Sequence, residues 1–185
     1  MNHRLFIAVD LPDAVQQGLA PLCCGLPGAR WVLPGQFHLT LRFIGEVDGA
    51  TFKDIREVLA EVSVASFSLQ LQGVGHFPPR GRPRLLWAGL AEVGGLQALQ
   101  ARVNAALARV GIAPDTRKYS PHVTLARLRN TPSARVGRFL EEHGLYTSLP
   151  FEVRSFVLYS SFLGASGAVH TAEAEYLLTG VKPEA

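Results

Sequence analysis

The chain opens on a short apolar run, RLFIAVDL (Arg4 to Leu11), whose length and β-branched content predict a strand. A helix is expected next, from about Pro12 to Cys24, and then a strand over Phe37 to Gly45, FHLTLRFIG. The same order then returns. RLLWAGL (Arg84 to Leu90) predicts a strand, and Leu96, Leu99, Val103, Leu107 and Val110 recur at helical spacing between Gly94-Gly95 and Gly111. PHVTLARL (Pro121 to Leu128) predicts a strand again. Each HxT strand leads into a helix-like stretch, near Thr51 to Val62 and Pro132 to Glu142, and then into an alternating strand that begins at Phe67 or Phe151. Phe67 and Phe151 lie 84 positions apart, as do His38 and His122. A shared offset at separate landmarks argues for internal duplication. The expected fold is α+β and bilobal, one domain over residues 1–185, with equivalent strands meeting at a shared cleft.

Composition narrows the class without changing the architecture. Hydrophobic residues make up 48% and charged residues 18%, enough to bury a core and unlike a disordered tail. The net charge of +3 suits a polyanionic ligand without requiring one. Cys23 and Cys24 are adjacent, a poor geometry for a disulfide, and no CxxC partner accompanies them. That pattern predicts a reducing, cytoplasmic setting and no structural zinc. No apolar run approaches the roughly 20 residues of a membrane span, and Asp10 and Asp13 interrupt the opening segment against a signal peptide. The stretch HFPPRGRPR (His76 to Arg84) predicts a rigid, basic surface loop or hairpin tip.

Strand alternation carries the chemistry. His38, Thr40 and Arg42 share one face of their strand, and His122 and Thr124 share one face of theirs. Two imidazoles and two hydroxyls converging on one cleft suit an in-line displacement at phosphorus. One imidazole takes a proton from the attacking water, the other gives one to the leaving oxygen, and the hydroxyls donate to the non-bridging oxygens. Neither a metal nor another cofactor is called for. Arg42, Arg129 and the loop arginines Arg80, Arg82 and Arg84 are candidates to hold phosphate, and Phe77 to stack on a base. Tyr119, three residues before His122, is a candidate to orient that histidine or to stack. Trp31 and Trp87 are read as core, and His3, His76 and His143 as surface.

These motifs resemble the two-histidine (2H) phosphoesterase superfamily, specifically its bacterial and archaeal RNA 2′,3′-cyclic phosphodiesterases, also called 2′-5′ RNA ligases. The resemblance spans nearly the whole chain: RLFIAVDLP, RWVLPGQFHLTLRFIGEV, GVGHFPPRGRPRLLWAGL, YSPHVTLARL and LYSSFLGASGAVH. It implies a LigT-like fold with pseudo-two-fold symmetry, His38 as proton donor and His122 as proton acceptor. It also implies hydrolysis to a 2′-phosphate, with 2′-5′ ligation as the reverse reaction. The residues themselves leave the direction of proton transfer open. The resemblance makes Arg127 the first choice for a substrate contact, although simple alternation turns it away from His122 unless the strand bulges. RNA with a 2′,3′-cyclic phosphate end is the implied partner, no protein partner is implied, and a monomer is expected. His170 is a departure, since relatives commonly carry tyrosine there. Two other functions remain open at this point: a cyclic phosphodiesterase for small molecules, and an RNA-binding module without catalysis.

Overall fold

A computed structural model describes residues 2–164 and 167–180. In chain order the elements are β1 (His3–Asp10), α1 (Asp13–Leu19), β2 (Ala29–Trp31), β3 (His38–Val47), α2 (Gly49–Leu59), β4 (Phe67–Leu69) and β5 (Leu71–Phe77). The second half brings β6 (Leu85–Leu90), α3 (Gly94–Arg109), β7 (Val123–Leu128), α4 (Ser133–His143), β8 (Phe151–Val153), β9 (Ser155–Gly164) and β10 (Gly167–Leu177). Both expected repeats are present. The first helix is shorter than its apolar pattern suggests, because Pro21 has no N–H to donate and its ring crowds the preceding turn. The chain tightens into one 3₁₀ turn over Ala20–Leu22. The first alternating strand divides at Gln70, into β4 and β5.

The main sheet runs β10-β9-β1-β3-β7-β6-β5, with β2 added against β7. Its two halves, β9-β1-β3 and β5-β6-β7, meet at one pair, Leu39 opposite Val123. Those residues are 84 apart, so each is the other's counterpart in the repeat. The small β4-β8 sheet obeys the same symmetry: Phe67 lies opposite Val153 and Leu69 opposite Phe151, the counterparts exchanged. A local two-fold axis therefore passes between Leu39 and Val123 and again through the β4-β8 pair. The pseudo-symmetry of the duplication is visible in the register itself.

One face of the sheet is sealed. Leu5, Ile7 and Val9 of β1, Leu39 and Leu41 of β3, Leu86 and Ala88 of β6, and Val123 and Leu125 of β7 join one buried cluster. The helices supply Leu19, Ile55, Leu59, Leu99, Val103, Leu107 and Phe139 to it. Each fully buried large side chain contributes about 1.5–3 kcal/mol. The expected stripe of α3 is this face, except that Val110 falls just beyond the end of the helix and is half-buried. With the helices on one side, polar side chains of β3 and β7 are left to the other.

Alternation breaks at the same place in each repeat. Ile7 pairs with Arg42 and Ala8 with Thr40, so Leu41 is skipped. Leu86 pairs with Ala126 and Trp87 with Thr124, so Leu125 is skipped. Leu41 and Leu125 are 84 apart. Each bulge keeps two successive side chains on the core side and returns the third to the open face. That third residue is Phe43 in the first half and Arg127 in the second.

The β2 strand is held at the end of β7 by a turn at Gly28. Gly28 has φ +73°, Arg129 N donates to its carbonyl at 3.1 Å, and a Cβ there would stand 2.2 Å from the Arg129 carbonyl oxygen. The Thr131 hydroxyl secures the same turn through Pro27 O at 2.8 Å. Gly28→Ala is expected to destabilise the fold by more than about 1 kcal/mol, since both the backbone angle and the space forbid a side chain. A urea midpoint unchanged from that of the wild type would contradict this account of the turn.

Candidate active site

The open face is organised by the junction of β3 and β7. Extending the antiparallel Leu39–Val123 register by one residue each way sets His38 across from Thr124 and Thr40 across from His122. All four are partly exposed, whereas Leu39 and Val123 are fully buried. The two histidines thus stand on a diagonal, their Cα atoms at the roughly 7–8 Å typical of such neighbours, with a threonine beside each. The four side chains stand together on the open side of the β3–β7 junction.

Both rings are tethered alike. His38 Nδ1 is 2.9 Å from the Gln36 carbonyl oxygen, and His122 Nδ1 is 2.7 Å from that of Ser120. A carbonyl only accepts, so Nδ1 carries the hydrogen in each ring and Nε2 is left for substrate. Gln36 and Ser120 are another pair 84 apart, so the tether belongs to the repeat. Gln16 secures the first of these segments, accepting from Gly35 N at 2.7 Å and donating to Leu11 O at 3.0 Å. Tyr119 secures the second, its hydroxyl donating to Thr40 O across the junction at 3.1 Å.

Aromatic rings flank each imidazole. Phe6 lies 5.3 Å from the His38 ring and Phe77 meets His122 edge-on at 5.0 Å. Burial accordingly lowers both histidine pKa values below the ordinary 6.5. Hydrogen bonding to Gln36 or Ser120 opposes that shift in each. His38 has further neighbours, because the Asp10 carboxylate raises its pKa while His122 lowers it. Asp10 pairs with His38 across β1 and β3, and both its oxygens accept from the Tyr159 hydroxyl at 2.8 Å. No carboxylate is among the influences on His122. The repeat is thus geometrically even and electrostatically uneven.

His170 approaches this corner from β10, with its ring 5.8 Å from His38 and 4.9 Å from Phe6. Burial, and then the charge of His38, lower its pKa. A cavity of about 340 Å³ opens beside His38, lined by Asp10, Gln36, Tyr159 and His170 among others. A larger one of about 440 Å³ lies between α2 and α3, where Glu61 and Arg109 form an ion pair, and holds no imidazole. Among the described residues no group of three or more His, Cys, Asp or Glu side chains gathers as a metal site.

Several sequence expectations change. Arg42 does not share the His38 face: the Leu41 bulge turns it toward the core, 7% exposed, where Nη2 donates to Ala113 O. The corresponding bulge at Leu125 has the opposite effect on Arg127. Arg127 sits across from Leu85, and Leu85 shares its side of β6 with Trp87, the partner of Thr124. Arg127 is therefore on the face of His122 and Thr124, and exposed. Tyr119 is half-buried and occupied as a tether, which makes it a positioning residue rather than a stacking platform. Phe77 is in place against His122. Arg80, Arg82 and Arg129 are exposed near the end of β7, and Arg82 donates to Asn130 Oδ1 at 2.7 Å. Trp87 is not core but lies on the open face over Gly75, where a Cβ would stand 2.3 Å from its ring. The sequence does not single out Asp10, Tyr159 and Phe6, which surround His38. A carboxylate closing an apolar strand, as Asp10 does, is the one local signal that was there to read.

Comparison with known proteins gives a consistent picture. Residues 12–162 match the 2′-5′ RNA ligase superfamily. The RNA 2′,3′-cyclic phosphodiesterase of Archaeoglobus fulgidus is 32% identical over 170 residues, covering 90% of this chain and 96% of the relative. That of Thermus thermophilus is 35% identical over 189 residues, covering 96% and 91%. Among solved structures, one from Thermus thermophilus superposes with a TM-score of 0.82 at 29% identity, covering 96% of this chain and 98% of that one. E. coli LigT complexed with 3′-AMP superposes at 0.79 and 25% identity, covering 97% and 99%. The fold is LigT-like.

The lowered histidine pKa values have a consequence for stability. Below 6.5 the unfolded chain binds more protons than these buried imidazoles do, so their effect on stability is neutral above 6.5 and becomes destabilising as pH falls through it. An NMR titration of the ring protons is expected to give midpoints below 6.5 for His38, His122 and His170. A midpoint above that value at His122 would contradict the burial argument.

Proposed function

The chain belongs to the 2′-5′ RNA ligase superfamily, and from that membership we propose that it hydrolyses the 2′,3′-cyclic phosphate at an RNA end to a 2′-phosphate. The observation that carries this reading is the duplicated tether, which holds Nδ1 of both histidines on backbone carbonyls and leaves both Nε2 atoms free beside the β3–β7 junction. Such a pair suits in-line attack, with base and acid on opposite sides of phosphorus.

In this reading His122 Nε2 accepts a proton from water as the water oxygen bonds to phosphorus. His38, as imidazolium, donates its Nε2 proton to the departing ribose 3′-oxygen as the P–O3′ bond breaks. The Asp10 carboxylate acts toward the protonated form of His38 but is outweighed by burial, which lowers the pKa of both histidines, so the direction of transfer is the one the family resemblance implies. The Thr40 and Thr124 hydroxyls donate to the non-bridging oxygens, where transition-state charge collects. Arg127 faces the same phosphate, and Arg80, Arg82, Arg129 and Phe77 lie where the attached strand can reach them. With a 5′-hydroxyl in place of water, the same groups form a 2′-5′ bond as the P–O3′ bond breaks and the 3′-oxygen takes the proton from His38. One bilobal unit over residues 1–185 acts as a monomer in the cytoplasm; the free thiols of Cys23 and Cys24 suit a reducing compartment.

The test is an oligoribonucleotide with a 2′,3′-cyclic phosphate end, with product mass and phosphate position mapped. We expect a 2′-phosphate and full activity in excess chelator. His38→Ala or His122→Ala should each lower kcat by roughly 10²–10⁴, the usual worth of a general acid or base. Retained activity in either variant, or loss of activity to chelator, would overturn the assignment.

A further inference from the structure

Arg30 lies directly across from Arg127 in the β2–β7 pair. Trp31, the next residue, packs against Phe139 of α4, so Arg30 faces the opposite, catalytic side of the sheet. Both guanidinium groups are exposed, and neither has an ion-pair partner among the described residues. Like charges directly opposite each other weaken a strand pair. Yet this pair is firmly built, through Val32 N to Leu125 O at 2.8 Å and Arg129 N to Gly28 O at 3.1 Å. The fold bears an unfavourable juxtaposition that an anion would relieve.

The other half of the repeat carries no such charge. The counterpart of Arg127 is Phe43, 61% exposed and in ring contact with Phe6, and the counterpart of Arg30 is Pro114, outside any strand. The cleft therefore has a cationic wall beside His122 and an aromatic wall beside His38. Arg80, Arg82 and Arg129 extend the cationic side along the end of β7, where the Arg82 bond to Asn130 holds the proline-rich loop in place. A single cyclic nucleotide has one phosphate, which Thr40, Thr124 and Arg127 already serve. A second, paired arginine calls for a second phosphate.

We propose that Arg30, beside Arg127, is a second phosphate site that grips the phosphodiester adjacent to the reacting end of an RNA strand. The site makes a strand, rather than a free cyclic nucleotide, the preferred substrate. This inference rests on the functional reading above.

The experiment compares a 2′,3′-cyclic mononucleotide with an oligoribonucleotide of the same cyclic end, for wild type, Arg30→Gln and Arg30→Lys. Arg30→Gln should lower kcat/KM for the oligomer about tenfold, chiefly through KM, the scale of one charge-assisted hydrogen bond. Turnover of the mononucleotide should change by less than about twofold, and the salt dependence for the oligomer should flatten by about one phosphate contact. Arg30→Lys should recover part of the loss, because the charge is restored without the planar fork. Equal losses on both substrates, or no loss on the oligomer, would overturn the second site while leaving the functional reading intact. Wild type inactive on both substrates would instead overturn that reading, and this one with it.

Discussion

The contact between Leu39 and Val123 is the constraint on which the rest of the site depends. It joins two repeats at their own equivalent residues, so whatever one strand presents beside the junction the other presents in reversed order. His38 then faces Thr124, and Thr40 faces His122. Because both leucine and valine are fully buried, a slip of one residue would turn both imidazoles into the core and both apolar side chains into the cleft. Burial of the helix-covered face thereby sets the arrangement of the two histidines and two threonines on the open one. The carbonyl tethers add what register alone does not, a fixed tautomer and a fixed ring nitrogen for the substrate.

Duplication supplies evenness, and the chemistry requires that it be broken. In the proposed reaction one imidazole loses a proton while the other gains one. Asp10, held by Tyr159, is an acidic neighbour of His38 with no counterpart among the influences on His122, and it acts against the larger effect of burial. The same division recurs at the walls, where one bulge presents Phe43 and its twin presents Arg127. Identical backbone irregularities thus deliver different side chains to equivalent places. An even scaffold can in this way bind an uneven substrate in one orientation.

Much of this was legible in the chain. The 84-residue offset between His38 and His122, and between Phe67 and Phe151, reported the repeat and its strands. Apolar period located α3 and both HxT strands to within a few residues. What failed was alternation carried past a bulge: Arg42 and Arg127 exchanged roles because Leu41 and Leu125 each drop out of register with a neighbouring strand. A bulge is a property of two strands, and one strand's sequence does not display it. Trp87 was misplaced for a similar reason, since its ring is accommodated on the open face by Gly75 of β5. Asp10 and Arg30 depended on pairings between β1 and β3 and between β2 and β7, which local patterns do not reveal. The approach of His170 to His38 depends on the β9–β10 hairpin, which no local pattern displays.

In the proposed reaction labour is divided: His38 gives the proton to the leaving oxygen and His122 takes one from water. The most direct measurement uses a cyclic substrate with sulfur in place of the 3′-oxygen, since a thiolate departs without help from an acid. His38→Ala should then recover turnover close to that of the wild type, while His122→Ala remains slow. Recovery in His122→Ala instead, or in neither variant, would contradict the account.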